Sequence, residues 1–428
     1  MIRAAFRVPG FGRLYAGLTA SMFGDSLMLI VLGMWVKQLT GSSGAAGLTF
    51  LWMTAPALVA PLLGYVVDRV PRRTFLIWAN LGSALVMTPL LLVHDETDVW
   101  LVYAVAFLYG VSAIVVPAAL NGLLKDLLPD EVLVEANTSL AVTREGLRLV
   151  GPLLGAGLFA VAGGGAVAMV DAATFLVAAL AVAAVHVEER AHEEREVTGW
   201  WAEVSAGGAF IRRTPVLLHA TVSLGLALLV IGFAESAIFA VVDAFHRPVT
   251  FVGPLVTAQG VGAVLAGLAA SRLVRRWGEP RTIAAGLLVT ALGLAGVALA
   301  QELWQLFVAI AVLGAGIPPA FVSFTTLVQR RTPGPLMGRV STTVEVLVTT
   351  PQAVSIALGA LLVSLIDYRA IFVVMAVGTA AAVGYLVLAL RGRMRPTEDA
   401  DPPPIPGTLL PEPSVVNGVV PPTEPPAR

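Results

Sequence analysis

The chain has 428 residues, 57% hydrophobic and only 13% charged, with 42 glycines and a formal net charge of -1, whereas soluble domains carry about 25% charged residues. That composition excludes an ordinary soluble domain and identifies a polytopic membrane protein, because lipid can face apolar surface that no single core could hold. Near-neutral charge gives no sign of nucleic-acid binding, the absence of cysteine removes disulfides and thiolate metal sites, and the five histidines form no H-x-x-x-H pair; no metal and no cofactor are expected.

Ahead of the first apolar run, Arg3, Arg7 and Arg13 resemble the start of a signal peptide. The run is too long and lacks a small-residue cleavage site, so it is read as the first span. Crossing the hydrocarbon core takes about 20 apolar residues, and twelve such runs follow, near 14–36, 44–67, 74–93, 99–120, 137–161, 167–186, 216–242, 251–271, 282–300, 304–325, 340–366 and 369–390. With the N-terminus inside, the connections after even-numbered spans and both termini hold 22 of the 27 basic residues, while the outward connections hold Lys37, Arg247 and Arg369. Lysine and arginine are retained in cytoplasmic loops, so both termini are predicted in the cytoplasm of a cell-membrane protein. Only Lys37 and Lys125 are lysines, a bias expected of a GC-rich bacterial genome.

The chain divides into an N-terminal bundle (1–187), a linker (188–215), a C-terminal bundle (216–392) and a tail (393–428). The linker opens on a charged stretch, Glu188 to Arg195, read as solvated. Trp200, Trp201, Val204 and Phe210, followed by Arg212 and Arg213, suggest a short amphipathic helix on the inner membrane surface. From Pro396 onward the tail holds 11 of the 28 prolines and cannot form a packed core.

Between spans 2 and 3 the spacing G-x-x-x-D-R-x-x-R-R is met by Gly64, Asp68, Arg69, Arg72 and Arg73, and it recurs 203 residues later as Gly267, Ser271, Arg272, Arg275 and Arg276. At an offset of 204, Pro129 matches Pro333, Asn137 matches Ser341 and Gly155 matches Gly359. Two like halves are implied, as in many transporters. Gly64 allows a close helix approach, Pro71 ends the helix, and a carboxylate at Asp68 can meet the positive N-terminus of another helix. Arg72 and Arg73 also suit a simple topology signal. Ser271 replaces the aspartate in the second copy, so the two gates are expected to be unequal.

These residues resemble the major facilitator superfamily. Phe11 to Thr40 with Gly24-Asp25, Leu39-Thr40-Gly41-Ser42, Leu127 to Glu131, Ala136-Asn137 and Gly151-Pro152-Leu-Leu-Gly155 are similar to its drug and siderophore exporter branch, which includes the enterobactin exporter and macrolide efflux proteins. The resemblance covers residues 11 to about 390. It implies an all-α fold of twelve transmembrane helices in two pseudo-symmetric six-helix bundles, a central cavity lined by spans 1, 4, 7 and 10, contact of Asp68 with span 11 in the outward-open state, and protons as coupling ion. Departures exist: in the antiporter signature on span 5, Gly151, Pro152 and Gly155 fit, but Leu147 and Ala156 stand at glycine positions. The arginine that many proton antiporters carry on span 4 is Ala106 here.

Ionisable groups inside a membrane are costly and so mark candidate sites. Asp25, mid-span 1, reads either as a proton or cation site or as a structural acid bonded to small polar neighbours; Glu235 in span 7 is its counterpart. Asp171 and Asp243 are expected nearer the outer ends, within reach of water. On span 5, Arg144 and Arg148 share a face and Glu145 can pair with Arg148. This group, with Glu345 of span 11, reads either as a salt-bridge network between the bundles or as a rim that meets anionic substrate. Gly151, Pro152, Gly155 and Gly157 would kink and thin span 5, and Pro318-Pro319 would break span 10.

Trp35, Phe107, Tyr109, Phe233, Phe239, Phe321 and Phe324 near the cavity walls, with few charges, suit a lipophilic or amphipathic solute. The expected function is proton-coupled efflux of such a molecule, as in multidrug resistance, by a monomer in contact with membrane lipids. Uptake of a metabolite, lipid movement and a non-transporting sensor are the alternatives. With no Walker A sequence, paired carboxylates or nucleophile elbow, no enzyme is expected.

Overall fold

The computed structural model describes residues 5–60, 63, 67, 69–185, 187, 200–333 and 336–391. Every regular element among them is helical, and ten helices are long and apolar enough to cross a membrane. One of these holds two spans, and the shorter apolar helix Ser43–Val59 begins another. In order, spans 1 to 4 are Phe11–Thr40, the segment that begins with Ser43–Val59, Arg72–Leu92 and the helix Val99–Leu127. Spans 5 and 6 are the two parts of Asp130–Ala183, which bends at Gly163, where φ is 76° and ψ 174°. Span 7 comprises Pro215–Ile231 and Ala234–Ala244; spans 8 to 12 are Val252–Trp277, Glu279–Leu299, Leu303–Arg331, Met337–Leu362 and Tyr368–Ala389.

Local chemistry sets the ends. Span 1 stops at Gly41, whose left-handed φ of 67° suits a residue without a side chain, and Ser42 immediately caps span 2 by accepting from the Ala45 amide. Proline in the first turn opens spans 7 and 9, and Asp367 caps span 12. In the turn between spans 3 and 4, the Thr97 hydroxyl and amide both donate to Asp95, holding its carboxyl below the usual range.

The two halves pack alike. Span 1 lies along spans 5 and 6 as span 7 lies along 11 and 12. Span 3 packs on 4 and on the span 5–6 helix as span 9 packs on 10 and 12, and span 2 on 4 as span 8 on 10. The halves meet where span 2 packs on span 11 and span 5 on span 8, a pair related by the same internal symmetry. The helix Trp200–Arg213 joins the second half: Gly207 sits against Arg339 and Thr343 of span 11, and Phe210 and Ile211 are buried in that half's core. The side chains of Trp200, Trp201 and Val204, the charged stretch from Glu188 and the proline-rich tail lie outside the described residues.

The expected break of span 10 at Pro318-Pro319 is absent. Spans 5 and 10 run through Pro152 and through Pro318-Pro319 as continuous helices. Ser323 donates to the Pro319 carbonyl at 2.6 Å, the common back-bond of a serine to the carbonyl four residues earlier. The non-helical backbone falls at Gly163, between spans 5 and 6, while span 7 only tightens at Gly232-Phe233, where both residues keep right-handed helical dihedrals.

Candidate functional site

The connections between spans 2 and 3 and between 8 and 9 define one end of the bundle, called here the arginine-rich end. At that end Arg72 donates to Asp126 of span 4 at 3.3 Å, and Arg73 donates to the Ala183 and Val182 carbonyls at 2.6 and 3.4 Å. Arg73 thereby closes the exposed carbonyl end of span 6, where a cation is favoured. Arg69 is exposed, and Gly64 and Asp68 lie outside the described residues. In the second copy Gly267 rests in ordinary contact with Pro318, while Ser271, Arg272, Arg275 and Arg276 are exposed. The equivalent ion pair is charge-reversed: Arg330 at the end of span 10 donates to Glu279 at the start of span 9, at 2.8 Å.

At the opposite end the halves are pressed together. Lys37 of span 1, 9% exposed, donates to Asp243 of span 7 at 2.5 Å, to the Gly41 carbonyl at 2.7 Å and to the Ser43 hydroxyl at 3.1 Å. Gly47 of span 2 lies directly on Ser236 of span 7, and Gly253 of span 8 lies on Pro152 and Ala156 of span 5. Toward the arginine-rich end, Arg144, Glu145, Arg148 and Glu345 are exposed, so the space between the halves opens that way. Arg148 meets Glu145 at 3.8 Å, and Arg144 has no hydrogen bond or ion pair among the described residues. Glu345 pairs with neither arginine.

Between these ends sits a carboxyl cluster built from three spans. Tyr109 of span 4 donates to Asp25 Oδ1 at 2.6 Å. Asp171 of span 6 is fully buried beside them. Its Oδ1 accepts from Thr174 at 3.3 Å, and its Oδ2 has no partner among the described residues. Gly24 makes this possible, since a methyl group there would strike both Thr174 Oγ1 and Asp171 Oδ1. One turn along, Gly151 packs on Ser26 and Gly155 on the Leu27 backbone, bringing span 5 onto the same segment of span 1. The expectation that water reaches Asp171 is overturned: packing against Gly24 sets its depth level with the middle of span 1. Asp243 is half exposed, as its place near a span end requires.

Glu235 follows the tightened turn of span 7. It lies in the first turn of Ala234–Ala244, whose amides bond back to the Gly232 and Phe233 carbonyls. Arg148 lies within electrostatic reach of Glu235, and Arg144 within reach of Asp25.

The expected aromatic, charge-poor wall is corrected. Trp35, Tyr109, Phe239 and Phe324 are buried in helix packing, and Phe107 stacks edge-on against Trp52. Phe233 is partly buried and Phe321 is 38% exposed. Arg148 and Glu145 of span 5 are 62% and 63% exposed. Lys37–Asp243, the role of Tyr109 and the depth of Asp171 were missed by sequence reasoning; the i, i+3 spacing of Asp171 and Thr174 was the one local signal available.

A model of the Major Facilitator Superfamily matches residues 14–245 and 224–417. Among similar proteins, the uncharacterized MFS-type transporter YfiS of Bacillus subtilis is 24% identical over 85% of this chain and 89% of its own length. The multidrug efflux pump Tap of Mycolicibacterium fortuitum is 26% identical over 76% and 82%, and the multidrug resistance protein MdtG of Dickeya zeae 27% over 86% and 90%. Among solved structures, a point mutant of the nucleoside transporter NupG superimposes with a TM-score of 0.73 at 11% identity, covering 89% of this chain and 100% of its own. An inward-facing bacterial homologue of ferroportin gives 0.71 at 15%, covering 89% and 98%.

Proposed function

Because the chain belongs to the major facilitator superfamily, we propose that this transporter exports a lipophilic or amphipathic small molecule by proton-coupled alternating access. The arginine bias supports placing the arginine-rich end and both termini in the cytoplasm of a cell membrane. With that orientation the cavity opens to the cytoplasm and is latched outside by Lys37–Asp243, the state in which an exporter loads. The efflux activity named for Tap and MdtG agrees with this direction.

The observation that carries the proton reading is the Asp25–Tyr109–Asp171 cluster: two acids from different helices share one buried pocket, and neither is in contact with a basic group among the described residues. Desolvating a carboxylate costs several kcal/mol unless it is neutralised or paired. Asp25, which is partly open to the cavity, is the group that exchanges a proton for cargo; Tyr109 orients it, and Glu235 answers it from the other half. Gly64, Asp68 and their second copy belong to the gates, while Gly151, Pro152 and Gly155 carry span 5 between span 1 and span 8.

The test is gradient-driven movement of a dye panel by the full chain in proteoliposomes. Inward-acid loading into the vesicle lumen, lost in Asp25→Asn and reduced in Glu235→Gln, is expected. Full activity in both variants rejects the proton sites, and dye movement in the opposite sense rejects export in favour of uptake.

A further inference from the structure

We propose that the cargo is an amphipathic zwitterion, a molecule with one basic and one acidic group, held between the carboxyls of Asp25 and Glu235 and the guanidiniums of Arg144 and Arg148. The inference rests on the transporter reading above and narrows its substrate class. Around span 5, Gly151 and Gly155 face span 1, whereas Leu149, Pro152 and Ala156 face span 8 of the other half. At about 100° per residue, Arg148 falls between those two faces and so points into the space between the halves, while Arg144 lies at the span 1 edge of that space. Exposure of both side chains there means water, not lipid, since a guanidinium facing hydrocarbon is expensive.

The cavity therefore carries two couples of opposite sign, Asp25 with Arg144 and Glu235 with Arg148, each placed across helices and neither closed into a direct ion pair among the described residues. Among those residues Arg144 has no partner, and Arg148 has only a long contact to Glu145. A cargo of single charge would engage one member of a couple and leave the other uncompensated as water is expelled, which is costly in a low-dielectric site. A zwitterion engages both members and adds no net charge to the site. Its basic group also competes with the proton for Asp25, which makes proton binding and cargo binding mutually exclusive, as exchange requires.

Three dyes on one scaffold separate the charge types: rhodamine 110 (cationic ring and free carboxylate), its methyl ester rhodamine 123 (cation) and fluorescein (anion). With the full chain in nanodiscs, rhodamine 110 is expected to bind at least about tenfold more tightly than either of the others, since each charge-assisted contact is worth about that factor. Arg148→Gln should remove the preference over rhodamine 123, which lacks the carboxylate the guanidinium meets, and Arg148→Lys should keep most of it. Equal or tighter binding of rhodamine 123 or fluorescein, an equal loss of all three dyes in Arg148→Gln, or binding of none overturns the proposal. Gradient-driven movement of whichever dye binds is measured separately: if the charge preference is present but no dye moves, the transport reading fails and the zwitterion site stands.

Discussion

Removing the Lys37–Asp243 pair should open the far end of the bundle. The pair joins the first half to the second across 206 positions, with Lys37 9% and Asp243 53% exposed. A hydrogen bond to a charged group contributes about 1.5–3 kcal/mol, whereas fully exposed pairs contribute about 0–1 kcal/mol. With one partner buried and one half exposed, about 1–2 kcal/mol is the reasonable range, or about 5–30-fold in the balance between the closed and open states of that end. The chain has no cysteine, so one reporter can be placed without background. Ser236 is fully buried on Gly47 of the opposite half, and Ser236→Cys should react with an impermeant maleimide only when the halves part. Asp243→Asn should raise the labelling rate about 5–30-fold, Lys37→Met should act in the same direction, and exchanging the two charges should restore slow labelling. Unchanged labelling in both single variants refutes the latch.

Tyr109→Phe removes the only hydroxyl that donates to Asp25 among the described residues, and gradient-driven transport should fall about tenfold at normal expression, since a lost donor to a buried charge costs about 1–3 kcal/mol. Gly24→Ala forces a methyl group into Asp171 and Thr174; overpacking of this kind costs about 1–3 kcal/mol and should lower the melting midpoint in detergent. Of the two charge-reversed pairs, Asp126→Asn should destabilise more than Glu279→Gln. Asp126 is 8% exposed and holds Arg72, whereas Arg330, the partner of Glu279, is 66% exposed; thermal unfolding of both variants compares them, and the reverse order would contradict the burial argument.

Span number and the two-fold repeat were legible because they depend on local quantities. Twenty apolar residues make a span whatever surrounds them, and copies 203 or 204 residues apart announce themselves. Asp25 also stood out because acids are rare inside a membrane helix, and Gly151–Gly155 because paired small residues mark close helix contacts. What could not be read was rotation. In lipid both faces of a helix are apolar, so periodicity does not say which way a side chain points. Trp35 and Phe239 were therefore placed on the cavity wall although they are buried in packing. The depth of Asp171 depends on how closely span 1 approaches at Gly24, and the partner of Lys37 is 206 positions away; neither leaves a trace in local sequence. The tightened turn at Gly232-Phe233, just before Glu235, was hidden inside a continuous apolar run.

The central claim is that Asp25 exchanges a proton for cargo. Proton movement measured beside dye movement in proteoliposomes holding the full chain tests it most directly. Cargo efflux should drive a matching proton flux in the opposite sense, and Asp25→Asn should abolish both while the protein keeps a cooperative melting transition in detergent. Undiminished, proton-linked dye movement by Asp25→Asn would contradict the account.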